Sequence, residues 1–133
     1  MNANTKSQKG SPSRDIFKWA HKQYTSKLFF ATDLDLVLVS KNPYRIIAAL
    51  DFKRGGDKVT FAEAVLYRKW LAGNNRIFIV ISDNPKSGPF IIKELSQVDP
   101  KPEPPECFYS QKFTLDDWRE FNDWEDGLRD GLC

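Results

Sequence analysis

Apolar positions along the chain change their period several times, and each change marks an element. Ile16, Phe17, Ala20 and Tyr24 recur at helical spacing, so a short helix with a buried stripe is predicted from Arg14 to about Tyr24, after a loose start ending near Ser13. From Leu28 the period shortens to two, with Leu34, Leu36 and Leu38 on one face of a strand and Asp35, Val37 and Val39 on the other. Lys41, Asn42 and Pro43 signal a turn, and Arg45 to Lys53 reads as a second long strand, antiparallel to the first. Gly55, Gly56 and Asp57 break that strand. Thr60 and Glu63 then form a T-x-x-E capping box, which starts a helix running to about Ala72 and stopped by Gly73 and Asn74. Arg76 to Ser82 is a nearly continuous apolar run, expected of a strand buried on both faces and paired in parallel after a helical crossover.

Phe90 to Leu95 adds an expected edge strand. The stretch from Asp99 to Glu106 holds four prolines in eight residues and reads as an extended connector. Thr114 is expected to open a last, acidic helix in which Trp118, Phe121 and Trp124 stand at i, i+3 and i+6 as packing residues. The order of helix, three strands, helix and strand predicts an α/β fold with a mixed sheet. Residues 1–13 are expected to form a flexible basic N-terminus, 14–98 the α/β domain, and 99–133 the connector and acidic helix.

Composition narrows this picture. The 133 residues are 41% hydrophobic and 29% charged, as in one globular domain. The longest apolar runs, Ile46 to Leu50 and Ile77 to Ile81, fall far short of the roughly 20 residues of a bilayer-spanning helix, so no membrane role is expected. The first 13 residues lack the apolar region of a secretory signal, which makes the cytoplasm the expected location. Cys107 and Cys133 have no second ligand pair, and His21 reads as a surface histidine, so neither zinc nor a disulfide framework is expected. Net charge runs from +5 over residues 1–30 through +3 over 31–98 to −6 over 99–133. The first two parts suit a polyanion, and the tail would repel one. The aromatic acidic helix is an alternative surface for a protein partner or a second copy.

The candidate chemistry lies on the two long strands. Asp51 and Lys53 share a sheet face by alternation, and on a hairpin-paired neighbour Asp35 reaches the same face. Two converging carboxylates make a hard, oxygen-rich site for Mg²⁺ or Mn²⁺. A lysine one pleat away could orient or help deprotonate an attacking water, while the metal polarises a phosphoryl oxygen.

The string D35-LVLV, a turn, IIAAL-D51-F-K53, a glycine break and an amphipathic helix resembles the PD-(D/E)XK nucleases. This superfamily has the restriction-endonuclease-like fold and includes archaeal Holliday-junction resolvases and RecB-type nuclease domains. The resemblance covers roughly residues 14–83. It implies an αβββαβ core, Asp35 and Asp51 as metal ligands, the Phe52 carbonyl as a further ligand, and Lys53 as the catalytic lysine. A Q-x-x-x-Y pattern found in some relatives reads Glu63-Ala-Val-Leu-Tyr67 here, so Tyr67 matches and the glutamine does not. Leu34 replaces the proline before the first Asp, and Asp15 is the sole candidate for the first-helix acid. The function implied is hydrolysis of phosphodiester bonds in nucleic acid, with DNA the expected polymer.

Around this core, Asp33 reads as a turn residue with a supporting role left open. Glu63 reads as the capping acid, and Tyr67 as a core residue or a hydrogen-bond donor to the site. Arg54, Lys58, Arg68 and Lys69 are expected near the site, either neutralising phosphates or as a solvated face. Two other functions stay open. One is a binding module with the same fold and no turnover. The other is a haloacid-dehalogenase-type phosphatase, suggested by the Asp33-Leu34-Asp35 triplet, with Asp33 as nucleophile and Asp35 as acid/base.

Overall fold

The computed structural model describes residues 12–24 and 34–132, without the side chains of residues 12, 21, 22 and 24. The strand start expected at Leu28, Asp33, Cys133 and the side chains of His21 and Tyr24 therefore lie outside the described residues. The chain divides into two compact units, residues 1–31 and 32–133.

In the first unit, helix α1 spans Pro12–Tyr24 and carries Asp15 in its first turn. Of the stripe expected to be buried, Ile16 and Phe17 are 66% and 68% exposed and Ala20 is half-buried. Helical spacing fixes which residues share a face; only a neighbouring element decides whether that face is covered.

The second unit is an α/β domain with a mixed five-stranded sheet in the order β1-β2-β3-β4-β5. Strands β1 (Leu36–Ser40) and β2 (Arg45–Lys53) form the expected antiparallel hairpin. Its turn is held by the Ser40 hydroxyl, which donates to the Pro43 carbonyl at 2.9 Å, and Asn42 takes the left-handed conformation at φ +54°. Helix α2 (Phe61–Ala72) carries the chain across to β3 (Ile77–Ile81), which pairs with β2 in parallel. Both halves of the capping box at Thr60 and Glu63 are present.

From here the structure departs from expectation. Strand β4 (Phe90–Asp99) is ten residues long and interior, because β5 (Glu106–Leu115) pairs along it. Thr114 therefore lies within β5, which ends at Leu115, and helix α3 (Trp118–Arg129) starts after it with Asp117 as N-cap. The alternation of β5 is broken at its centre. Cys107 packs on the α2 side of the sheet, whereas Phe113 and Leu115 pack on the α3 side. Ser110 is the residue skipped in the register between Tyr109 and Gln111, and such a bulge flips the side chains beyond it to the other face. The prolines connect β4 to β5 within one sheet.

Two cores result, one on each face. Ala48, Leu50, Phe78, Val80, Phe90 and Ile92 meet Phe121, Trp124 and Leu128 of α3. Ala49, Ile77, Ile79, Leu95 and Val98 meet Ala64 and Tyr67 of α2. The expected boundary at residue 98 is thus corrected, since β5 and α3 complete the domain. The aromatic stripe of α3 is largely taken up by packing, with Trp118 still 43% exposed. Phe121 and Trp124 are buried, and Trp118 packs against Phe90 and Phe121. Strand β2 assigns the candidate residues to a face. Ala48, Leu50 and Phe52 point to α3 while Ala49 points to α2, and alternation puts Asp51 and Lys53 with Ala49.

Candidate functional site

The pairing of Leu36 with Leu50 sets Asp35, one residue before β1, opposite Asp51. The two acids are tied through backbone N–H groups at each other's positions, that of Asp35 itself and that of Phe52 next to Asp51. Asp35 N–H donates to Asp51 Oδ1 at 3.3 Å, and Phe52 N–H donates to Asp35 Oδ2 at 2.7 Å. Asp35 is exposed, whereas Asp51 is only 3% exposed. On the other side of Asp51, the Tyr67 hydroxyl of α2 donates to Oδ2. Tyr67 is fully buried, so it is at once a core residue and a donor to the site. Lys53 Nζ meets Glu63 Oε2 at 2.5 Å, with both side chains largely shielded. Glu63 Oε1 accepts the Thr60 N–H at 3.0 Å. One carboxylate therefore caps α2 and fixes Lys53.

The electrostatics arise from burial. Desolvation pushes the Asp51 carboxyl up to about 6; Asp35 adds to the rise, and the Tyr67 hydroxyl and Lys53 oppose it. Burial first, and the Asp51 and Glu63 carboxylates after it, push the Tyr67 phenol well above its ordinary value, so it stays protonated and donating. A buried carboxylate beside a second one is a place where an added positive charge is stabilising. Among the described residues no three His, Cys, Asp or Glu side chains group together as a metal site. A divalent cation here would draw on Asp35 and Asp51, a backbone carbonyl such as that of Phe52, and water, a donor set that Mg²⁺ accepts.

The other candidates belong to separate segments of the chain. Asp15 is an exposed residue of the first unit. Arg54 and Lys58 are exposed on the loop that leaves β2. Arg68 and Lys69 are exposed on α2, five and six residues past Glu63, about 8 Å further along the helix axis. Arg68 lines a groove with Leu71, Ser96, Val98 and Lys101. Arg54 and Lys58 thus stand on one segment, a loop, and Arg68 and Lys69 on another, a helix.

Three features escape the sequence reading. The Lys53–Glu63 ion pair is one, although the capping box had already put Glu63 in the first turn of α2, beyond the end of β2. Asp83 is another, its Oδ1 accepting the Gly55 N–H at 3.0 Å. Lys86, exposed on the same β3–β4 loop, is the third. Their signal is the turn-rich run Ser82-Asp83-Asn84-Pro85 directly after a buried strand.

No family model, curated protein or solved structure matches this chain. Among the described residues no helix is long and apolar enough to cross a membrane.

Proposed function

We propose that this chain is a metal-dependent nuclease that hydrolyses phosphodiester bonds in nucleic acid, DNA foremost. The observation that carries this reading is the pairing of Asp35 with Asp51 on one face of a hairpin, with Lys53 the next side chain of β2 on that face. Among the described residues two strands precede a crossover helix and a parallel strand, and this ββαβ part of the expected αβββαβ order supports the restriction-endonuclease-like arrangement. Asp35, Asp51 and the Phe52 carbonyl are the proposed holders of Mg²⁺ or Mn²⁺. Bound there, the cation supplies the charge that polarises a phosphoryl oxygen. Tyr67 fixes the Asp51 carboxylate. Glu63 holds Lys53 one pleat further on, where its ammonium orients the attacking water and favours the charge that develops on the phosphate.

One observation favours a second reading, a nucleic-acid-binding module without turnover. Asp35, Asp51 and Lys53 each already have a partner within the chain. The phosphatase pattern, by contrast, needs a loop and helix directly after Asp35, and β1 with its hairpin stands there. The test is incubation of the pure protein with supercoiled, linear duplex and single-stranded DNA and with RNA, in Mg²⁺, Mn²⁺ or chelator. Metal-dependent cleavage that Asp51→Ala abolishes is the expected result. Binding without cleavage would select the second reading, and hydrolysis of a phosphomonoester alone would select the phosphatase.

A further inference from the structure

The β3–β4 loop, residues 82–89, is more heavily tied than a connector requires. Ser82 N–H donates to the Lys53 carbonyl at 3.1 Å, and Gly55 N–H donates to Asp83 Oδ1 at 3.0 Å. Within the loop, Asn84 N–H donates to Ser82 Oγ at 3.1 Å, while Ser87 and Gly88 donate to the Asn84 carbonyl at 3.2 and 2.7 Å. From α3, Trp118 Nε1–H donates to the Pro85 carbonyl at 2.9 Å. The seat of Asp83 is close. A Cβ at Gly55 would lie 3.1 and 3.2 Å from its carboxylate oxygens. Because β2 and β3 are parallel and Lys53 pairs with Ile81, this loop and the one after β2 leave the sheet at the same end. That is the end at which Asp35 meets Asp51.

The charges of the two loops are used unequally. Asp57 Oδ2 accepts the Arg54 N–H at 2.9 Å and Asp83 accepts that of Gly55, so both acids are turned onto backbone. Arg54, Lys58 and Lys86 are exposed, and among the described residues no side-chain ion pair or hydrogen bond holds them. A cation on a rigid loop gives up less conformational freedom when it engages an anion than one on a mobile loop. We propose that these tethered loops are the phosphodiester-backbone contact of the site, with Lys86, Arg54 and Lys58 gripping the nucleic-acid strand beside the Asp35–Asp51 pair. The proposal rests on the nuclease reading and adds to it where the substrate lies.

The experiment is a salt series of fluorescence anisotropy titrations with a labelled DNA duplex in chelator. Lys86→Ala should weaken binding by about 3- to 10-fold at low salt and lower the slope of log K against log salt by roughly one. Lys101→Ala, at the opposite end of β4, should do neither. Asp83 gives a readout that charge alone would not move in this direction. Asp83→Asn keeps the acceptor for Gly55 and removes a negative charge, so it should bind as tightly as wild type or tighter. Asp83→Ala removes the same charge and should bind more weakly, because the loop is released. Equal effects of Lys86→Ala and Lys101→Ala, or tighter binding by both Asp83 variants, would overturn the proposal. If the wild type cleaves DNA while Lys86→Ala keeps the full salt slope, only this proposal falls. A wild type that neither binds nor cleaves nucleic acid removes the nuclease reading as well.

Discussion

Two carboxylates shielded on the same sheet are handled in opposite ways. Glu94, on β4, receives the Arg76 guanidinium twice at 2.8 Å and the Gln111 amide at 2.8 Å. Against the push of burial, these partners hold its carboxyl below the usual range. Asp51, on β2, receives a tyrosine hydroxyl and a backbone N–H and lies beside a second carboxylate, and its carboxyl is raised. Lys53, the next side chain on that face, turns its ammonium to Glu63 instead. The chain pairs Glu94 directly with its own cation, whereas the cation nearest Asp51, Lys53, is ion-paired to Glu63 and only partly offsets the rise. The first arrangement is a structural clamp across three strands, β5 to β4 to the start of β3. Among the described residues the second holds no ion pair to Asp51, and it is there that we propose a cation from outside the chain binds.

The sharpest way to break this contrast is to exchange the roles in an activity assay. Asp35→Ala and Asp51→Ala should bring metal-dependent cleavage below detection, while Glu94→Gln should leave kcat within about twofold. Loss of cleavage in all three at equal folded fraction would show that the two carboxylates are not functionally distinct.

Stability should separate them next, with opposite signs. The folded-state carboxyl of Asp51 lies at about 6 against an ordinary value of 3.8. The folded protein therefore holds this proton more tightly, and stability is lost as pH rises from 4 through 6. Asp51→Asn removes that loss. In chelator it should stabilise the protein by on the order of 2 to 3 kcal/mol at pH 8 and by little at pH 4, as read by urea unfolding at the two pH values. Glu94 runs the other way. Its contribution is present above the ordinary pKa and fades as pH falls through the lowered one. Glu94→Ala should cost about 2 kcal/mol at pH 7, the range for hydrogen bonds to a charged group, and less at pH 3. A pH-independent loss would mean that Glu94 acts through packing.

Much of this was legible in the sequence because β1, β2, α2 and β3 obey single periods and carry local stop signals. Alternation along Ala49, Asp51 and Lys53, with the hairpin turn at Asn42, was enough to bring Asp35 to Asp51. Strand β5 was not legible. Its bulge at Ser110 gives each half a different inward face, so no one period runs through Glu106–Leu115. The prolines before it signalled the end of the domain, although a hairpin connection is equally compatible with them. The burial of Asp51 also lay beyond the sequence, because it depends on Tyr67 arriving from α2. The ion pair that takes Lys53 away from Asp51 was hidden in the same way, since the capping box accounts for Glu63 without it.

In the proposed site, Asp35 and Asp51 hold the cation and Lys53 contributes chemistry and not ligation. Calorimetric titration of Mn²⁺ into the wild type, Asp35→Ala, Asp51→Ala and Lys53→Ala, with cleavage measured on the same samples, tests this claim most directly. Both Asp variants should lose metal binding and cleavage together. Lys53→Ala should bind Mn²⁺ as well as the wild type or slightly better, because a positive charge has been removed from the site, while cleavage falls by ~10² to 10⁴. Wild-type metal binding and wild-type cleavage in Asp51→Ala and Lys53→Ala, in protein free of host nuclease, would contradict the claim.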